Sequence, residues 1–92
     1  MRFESLPSYE RSLKKLDPDT KDKVKAAINK YVDFFEGGQR PEGLGLKKFS
    51  KHIWEIRVDL RMRVIFRFEG DLVQWGLVGN HDDIKRFLKH LR

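Results

Sequence analysis

The sequence predicts an α+β fold of two layers, an N-terminal helical hairpin packed on an antiparallel sheet in the order β-α-α-β-β-β-α. Three observations point to it. The stretch IWEIRVDLRMRVIFRFEGDLVQWGLVGNH, from Ile53 to His81, alternates apolar and polar residues with the period that marks strands with two unlike faces. Two segments ahead of it carry apolar residues at helical spacing. The helices precede the strands instead of alternating with them, which separates the layers as α+β folds do.

The elements follow in order. Met1 to Leu6 reads as a short edge strand ended by Pro7. Ser8 is the expected cap of a helix over 8–16, whose Tyr9, Leu13 and Leu16 fall on one face. Asp17-Pro18 breaks it, and Asp17 then caps a second helix over 19–36 with proline in its first turn. Val24, Ile28, Tyr31, Val32 and Phe35 make one stripe of that helix, and Lys21, Lys23, Lys25 and Lys30 lie off it. Gly37-Gly38 stops it. The glycine-rich stretch from Gly37 to His52 reads as a loop, its second half pinned to the core by Leu44, Leu46 and Phe49.

In the first meander strand Trp54, Ile56 and Val58 alternate with Glu55, Arg57 and Asp59. In the second, Met62, Val64, Phe66 and Phe68 alternate with Arg63, Ile65, Arg67 and Glu69. After a Gly70-Asp71 turn, Val73, Trp75 and Leu77 alternate with Gln74, Gly76 and Val78. Asn80 or Asp82 caps a last helix with Ile84, Phe87, Leu88 and Leu91 on one face and Lys85, Arg86, Lys89, His90 and Arg92 on the other. The Trp54/Val64/Phe66/Trp75 face is expected to meet the stripe of the second helix. That leaves the face carrying Glu55, Arg57, Arg63, Arg67 and Gln74 open, or covered by a partner.

Composition bounds the function. The 92 residues imply a single domain over 1–92 with one modest core. Twenty Lys+Arg against fourteen Asp+Glu give a formal charge of +6, which favours an acidic partner. There is no cysteine, hence no disulfide framework, thiolate zinc site or thiol nucleophile. No apolar run suits a membrane span and the N-terminus lacks a signal-peptide core, so a cytoplasmic protein without a membrane partner is expected.

The chemistry left open is metal-free and cofactor-free. His52, His81 and His90 are scattered, and no glycine-rich phosphate loop precedes a helix. RNA, however, carries its own nucleophile. Cleavage through the 2′-hydroxyl needs a base, cations for the charge building on phosphorus, and an acid for the leaving 5′-oxygen. Arg63, His81, Lys48 and Lys47 are the candidate catalytic residues, and Arg57, Arg67, Lys51 and Glu55 the candidate RNA- or phosphate-binding set. Arg63 is placed first because a guanidinium can donate two parallel hydrogen bonds to phosphate. Each residue also has a plainer reading. Arg63 and Arg67 serve equally as solvated or ion-paired strand cations, Glu55 as a structural partner of Arg57 or Arg63, the lysines as an ordinary soluble loop, and His81 as a turn residue.

Three segments together resemble the RelE/ParE superfamily of toxins from type II toxin–antitoxin systems. SYERSLKKLDPDTKDKVKAAI resembles the family's opening helical hairpin. LKKFSKHIWEIRVDLRMRVIFRF resembles its basic loop and two signature strands, and LVGNHDDIKRFLKHL its closing strand and C-terminal segment. The resemblance implies an mRNA interferase fold related to microbial ribonucleases, and cleavage of mRNA on the ribosome without metal. It implies that Arg63 contacts the scissile phosphate, that Lys47 and Lys48 supply base or electrostatic roles, and that His81 stands where some branches carry an acid. Arg57 occupies the frequent strand arginine. The C-terminal tyrosine of several active members has no counterpart in Phe87-Leu88-Lys89-His90. The implied partners are mRNA on the ribosome and an acidic cognate antitoxin, joined with the toxin in a hetero-oligomer. The ParE branch poisons DNA gyrase, so gyrase inhibition is the alternative, and a non-catalytic basic RNA- or protein-binding module is a third.

Overall fold

The computed structural model of the chain describes residues 1–40 and 45–90. Its elements are β1 (Arg2–Ser5), α1 (Pro7–Lys14), α2 (Pro18–Phe35), β2 (Leu46–Lys48), β3 (Ile53–Arg57), β4 (Arg63–Glu69), β5 (Leu72–Gly79) and α3 (His81–Lys89). The strands form one five-stranded sheet in the order β1-β5-β4-β3-β2. The expected α+β architecture, a helical hairpin on a sheet, is what the chain adopts. The expected contributions of Leu44, Leu91 and Arg92 lie outside the described residues.

Local chemistry explains the helix boundaries. Pro7 follows the end of β1 as expected and also opens α1, because its fixed φ suits a first helical residue and its missing N–H is not needed there. Ser8 is therefore inside the helix rather than its cap, and its hydroxyl donates to the Gly76 carbonyl at 2.5 Å. Asp17 caps α2 as expected, accepting from the Thr20 amide at 3.2 Å. The Thr20 hydroxyl and then the Thr20 amide hold the Asp17 carboxyl below its ordinary pKa. The α2 stop requires a left-handed residue, and Gly37 supplies it with φ of 99°.

The sheet departs from expectation in three ways. β1 runs parallel to β5, so the sheet is mixed. The chain leaves β1 through the helical hairpin, and no tight turn forces the pair to be antiparallel. Leu46–Lys48, expected as loop, forms the short edge strand β2 antiparallel to β3. Three residues are too few to display a period of two, and the unpaired edge of β3 organises them. Finally, the β4–β5 register shifts between Ile65 and Phe66: Phe66 faces Trp75, but Ile65 faces Leu77. The extra residue is Gly76, a bulge that reverses side-chain parity beyond it. Val78 consequently enters the hairpin-side core, whereas Leu77, expected there, shares the opposite face with Ile65.

The main core lies between the hairpin and the sheet, with Tyr9, Val24 and Tyr31 packed against Ile56, Val64, Phe66, Val73, Trp75 and Val78. Ile28, Val32 and Phe35 complete the α2 stripe at its margin. Phe66 sits at the centre, its ring 5.6 Å from Phe35 and 5.3 Å from Trp75. The opposite sheet face, expected to be open or partner-covered, is partly covered by α3, which packs on β4 and β5. Ile65 and Ile84 are buried there and Phe87 approaches Gly76. Ile65 and the apolar stripe of α3 supply the reason, since both have apolar surface to remove from water.

Two stability measurements follow. Phe66→Ala should lower the unfolding free energy by about 3–5 kcal/mol in urea titration, as expected for truncating a fully buried phenylalanine. Burial, and then the neighbouring Glu10 charge, push the Tyr9 phenol up from 10.0 to about 12. The folded state thus favours the neutral phenol. Its contribution is fully present below the unfolded pKa of 10.0 and is lost as pH rises towards about 12. Denaturation of wild type against Tyr9→Phe should show that alkaline component disappearing in the variant.

Candidate functional site

The β3–β4 register determines which side chains meet on the face that carries α3. Glu55 is paired with Ile65, and Arg57 with Arg63, so all four alternate onto that face. On its other side Arg63 is opposite Gly79, the last residue of β5. The next two residues begin α3. Asn80 is its cap: its side chain accepts from the Asp83 amide at 2.9 Å, while the Asp83 carboxylate accepts from the Asn80 amide at 3.0 Å. This reciprocal pair fixes the helix entry and makes His81 the first helical residue.

Arg63, His81 and Glu55 are thereby brought together. Arg63 Nη1 lies 3.4 Å from His81 Nδ1 and 3.6 Å from Glu55 Oε2. A guanidinium only donates, so a hydrogen bond between them needs the lone pair of His81 Nδ1. Glu55 is 3% exposed, and the Arg63 side chain retains 18% of its exposure. The pair is an ion pair outside hydrogen-bond distance. Two atoms within it, Glu55 Oε1 and Arg63 Nε, are buried with no hydrogen-bond partner among the described residues. An acceptor and a donor stand unpaired beside an imidazole.

The other candidates are distributed unequally. Lys47 pairs with Glu55 across β2–β3 and shares its face. Lys48 pairs with Trp54, and its ammonium lies 5.3 Å from that indole, on the hairpin side of the sheet. The fold thus separates the two lysines, because adjacent strand residues point to opposite faces. Arg57 is exposed beside Arg63. Arg67 is on the Arg63 face but pairs with Glu69 at 2.7 Å, which realises its plainer reading as an ion-paired strand cation. His52 also reaches Glu69, at 3.7 Å. The Arg67 hydrogen bond, followed by the charges of His52, Arg67 and Lys51, holds the Glu69 carboxyl below its ordinary pKa. Lys51 belongs to this separate surface network.

Phe49 was expected to pin the loop to the core, yet it is 40% exposed. Its ring lies 4.9 Å from the Lys47 ammonium. Only the strand character of Leu46–Lys48 gives Lys47 and Phe49 a common side, and the sequence pattern does not show that strand. Among the described residues, no group of three or more His, Asp or Glu is placed to hold a metal ion, and no helix is long and apolar enough to cross a membrane.

No protein-family model matches the chain, and no curated protein matches it. Solved structures do share its fold. One chain of the RelB-RelE antitoxin–toxin complex from Methanococcus jannaschii aligns with a TM-score of 0.70 and 16% identity, over 95% of this chain and 98% of that one. YafQ from E. coli strain BL21(DE3) aligns with a TM-score of 0.68 and 14% identity, over 91% and 98%. A metal-bound toxin from Helicobacter pylori gives 0.70 and 8%, again over 91% and 98%. The chain has a RelE-like toxin fold, and at these identities the similarity is one of fold.

The energetics of the buried pair can be measured. Glu55→Ala leaves Arg63 buried without its counter-charge, a change that costs about 3–5 kcal/mol for a fully buried pair. Urea unfolding should place the loss near the lower end of that range, because Arg63 is not fully buried. A double-mutant cycle with Arg63→Ala should recover part of it.

Proposed function

We propose that residues 1–92 are a single toxin domain of a type II toxin–antitoxin pair, acting as a ribosome-dependent endoribonuclease that cleaves mRNA and inhibits translation. The observation that carries this reading is the convergence of Arg63, His81 and the buried Glu55 carboxylate on one face of a RelE-like toxin fold. Each answers a requirement of 2′-hydroxyl chemistry. Glu55 is the base, taking the 2′-proton once Arg63 has turned away from it. The O2′ lone pair then attacks phosphorus. Arg63 donates to the non-bridging oxygens as charge accumulates on them. The bond from phosphorus to O5′ breaks, and protonated His81 delivers its proton to that oxygen. The products are a 2′,3′-cyclic phosphate and a 5′-hydroxyl. Lys47 and Arg57 border the cluster as phosphate-holding cations, and Lys48, on the far face, has no part in it.

The partner is an acidic antitoxin in a toxin–antitoxin hetero-oligomer. Support comes from the charge of +6 and from the fold shared with toxins in the RelB-RelE and DinJ-YafQ complexes. A cytoplasmic setting follows from the proposed action on ribosomes. Titration with the product of the adjacent acidic reading frame should yield a complex that weakens as salt rises. Absence of a complex at low salt would remove the main support for this partnership.

Single-turnover cleavage of ribosome-bound mRNA tests the chemistry. Arg63→Ala should lose about 10²–10³ in rate, the usual effect of removing one donor to a developing oxyanion. His81→Ala should be slow with RNA binding retained, and Glu55→Gln should lose rate while keeping the fold. A 2′-deoxy substitution at the cut site should abolish cleavage. Arg63→Ala cutting as fast as wild type, or growth arrest surviving in both the Arg63 and His81 variants, would discard the nuclease and put gyrase inhibition first.

A further inference from the structure

Phe49 presents an aromatic ring to solvent at 40% exposure, although its backbone is held, its amide donating to the Ile53 carbonyl at 2.8 Å. Lys47 stands over the ring at 4.9 Å and forms no ion pair among the described residues. Beside the ring is a cavity of about 300 Å³, bounded by Phe49, Ser50, Ile53 and Leu88. Its walls are apolar, one from the β2–β3 connection and one from α3, and Ser50 is the polar group at its edge. We propose that this slot holds an unpaired nucleobase of single-stranded RNA stacked on Phe49, with Lys47 on an adjoining phosphate.

Three features select a nucleobase over another apolar occupant. The slot pairs a flat ring with an ammonium that has no ion-pair partner among the described residues, the combination by which single strands are held through stacking and charge. It shares the sheet face of Glu55 and Arg63, since Lys47 is directly opposite Glu55. Ile53, on the slot wall, is two residues along β3 from Glu55, or about 6.6 Å. A base on Phe49 therefore belongs to a nucleotide adjacent to the one reacting at Arg63. The cation in the Ile53 row, Arg67, is committed to Glu69 at 2.7 Å, which leaves Lys47 for the backbone.

The identity of the ligand rests on the RNA-cleavage reading, and the test reads binding separately from cleavage. The probe is an RNA oligomer made uncleavable by a 2′-deoxy residue at the cut site, with 2-aminopurine placed in turn on either side of it. Wild type should quench one of these positions. Phe49→Ala should abolish the quench and weaken binding about 5- to 150-fold, whereas Phe49→Trp should retain both. With an abasic residue at the same position, wild type and Phe49→Ala should bind alike. Lys47→Ala should reduce the salt dependence by about one phosphate contact.

The slot assignment fails if Phe49→Ala quenches and binds like wild type. It fails too if that variant loses the same factor on the abasic oligomer, or if wild type quenches neither position. Weakening of the antitoxin complex by Phe49→Ala without any quench in wild type would assign the slot to a protein side chain instead. The two readings separate cleanly. Stacked RNA that is never cut keeps the slot and sinks the nuclease. Normal cutting by Phe49→Ala, with no change in binding, sinks the slot alone.

Discussion

The register between β3 and β4 is the constraint from which the site and the core both derive. It sets Ile56 opposite Val64 and Trp54 opposite Phe66 on one side, and Glu55 opposite Ile65 and Arg57 opposite Arg63 on the other. A slip of one residue would exchange the faces, driving Arg63 and Arg67 into the aromatic layer. The turn between the strands resists that slip. Asp59 Oδ1 accepts from the Arg61 amide at 2.8 Å and the Met62 amide at 2.7 Å, and the Val58 amide donates to the Met62 carbonyl at 2.8 Å. The Met62 and then the Arg61 amide hold the Asp59 carboxyl below its ordinary pKa. This contribution is present above the ordinary carboxylate range and is lost as acid protonates the group.

With the register set, the α3 face has to reconcile charge with burial. Ile65 and Ile84 remove apolar surface from water at its centre, and Glu55 is taken down with them. A carboxylate buried in this way is unfavourable unless it is compensated, and Arg63 at 3.6 Å compensates it without a hydrogen bond. The pair is a poor stabiliser by construction, with an atom on each partner unpaired among the described residues. Burial of opposite charges beside an exposed imidazole is an arrangement that local stability does not select, and such departures from local consistency concentrate at functional sites.

How far the sequence displays this arrangement depends on the range of the interaction responsible. The α2 stripe, the Asp17 cap and the alternation through Trp54–Val58 and Met62–Phe68 are local patterns, and each is legible. The meeting of Arg63 with His81 is partly so, because Arg63 begins one strand of a single meander and His81 closely follows the end of the next. The lost parity in β5 is not, since a bulge at Gly76 leaves the same string of apolar letters and changes only which way they point. Lys47 and Lys48 are equivalent in a loop and opposite in a strand, so their separation waits on β2. Arg67 and Glu69 are near neighbours in sequence, and their pairing was one of two readings that strand spacing allowed. The apolar stripe of α3 is legible as a stripe, whereas its docking on Ile65 is a long-range outcome.

The bulge that hides from the sequence is also what assembles the cluster. Continued without it, the Phe66–Trp75 register would place Val78 opposite Arg63 and an isopropyl group against the guanidinium. The extra residue instead returns Val78 to the core and puts Gly79 in that position. Gly79 has no side chain to give up, and a Cβ there would lie 2.7 Å from the Asp83 Cβ. Its absence lets the first turn of α3 close onto the strand end, where Asn80 and Asp83 cap each other. His81 then emerges over Arg63 instead of away from it. One unpaired strand residue thus converts a plain β-meander into a sheet whose end delivers an imidazole to a buried ion pair, the use to which bulges beside functional sites are put.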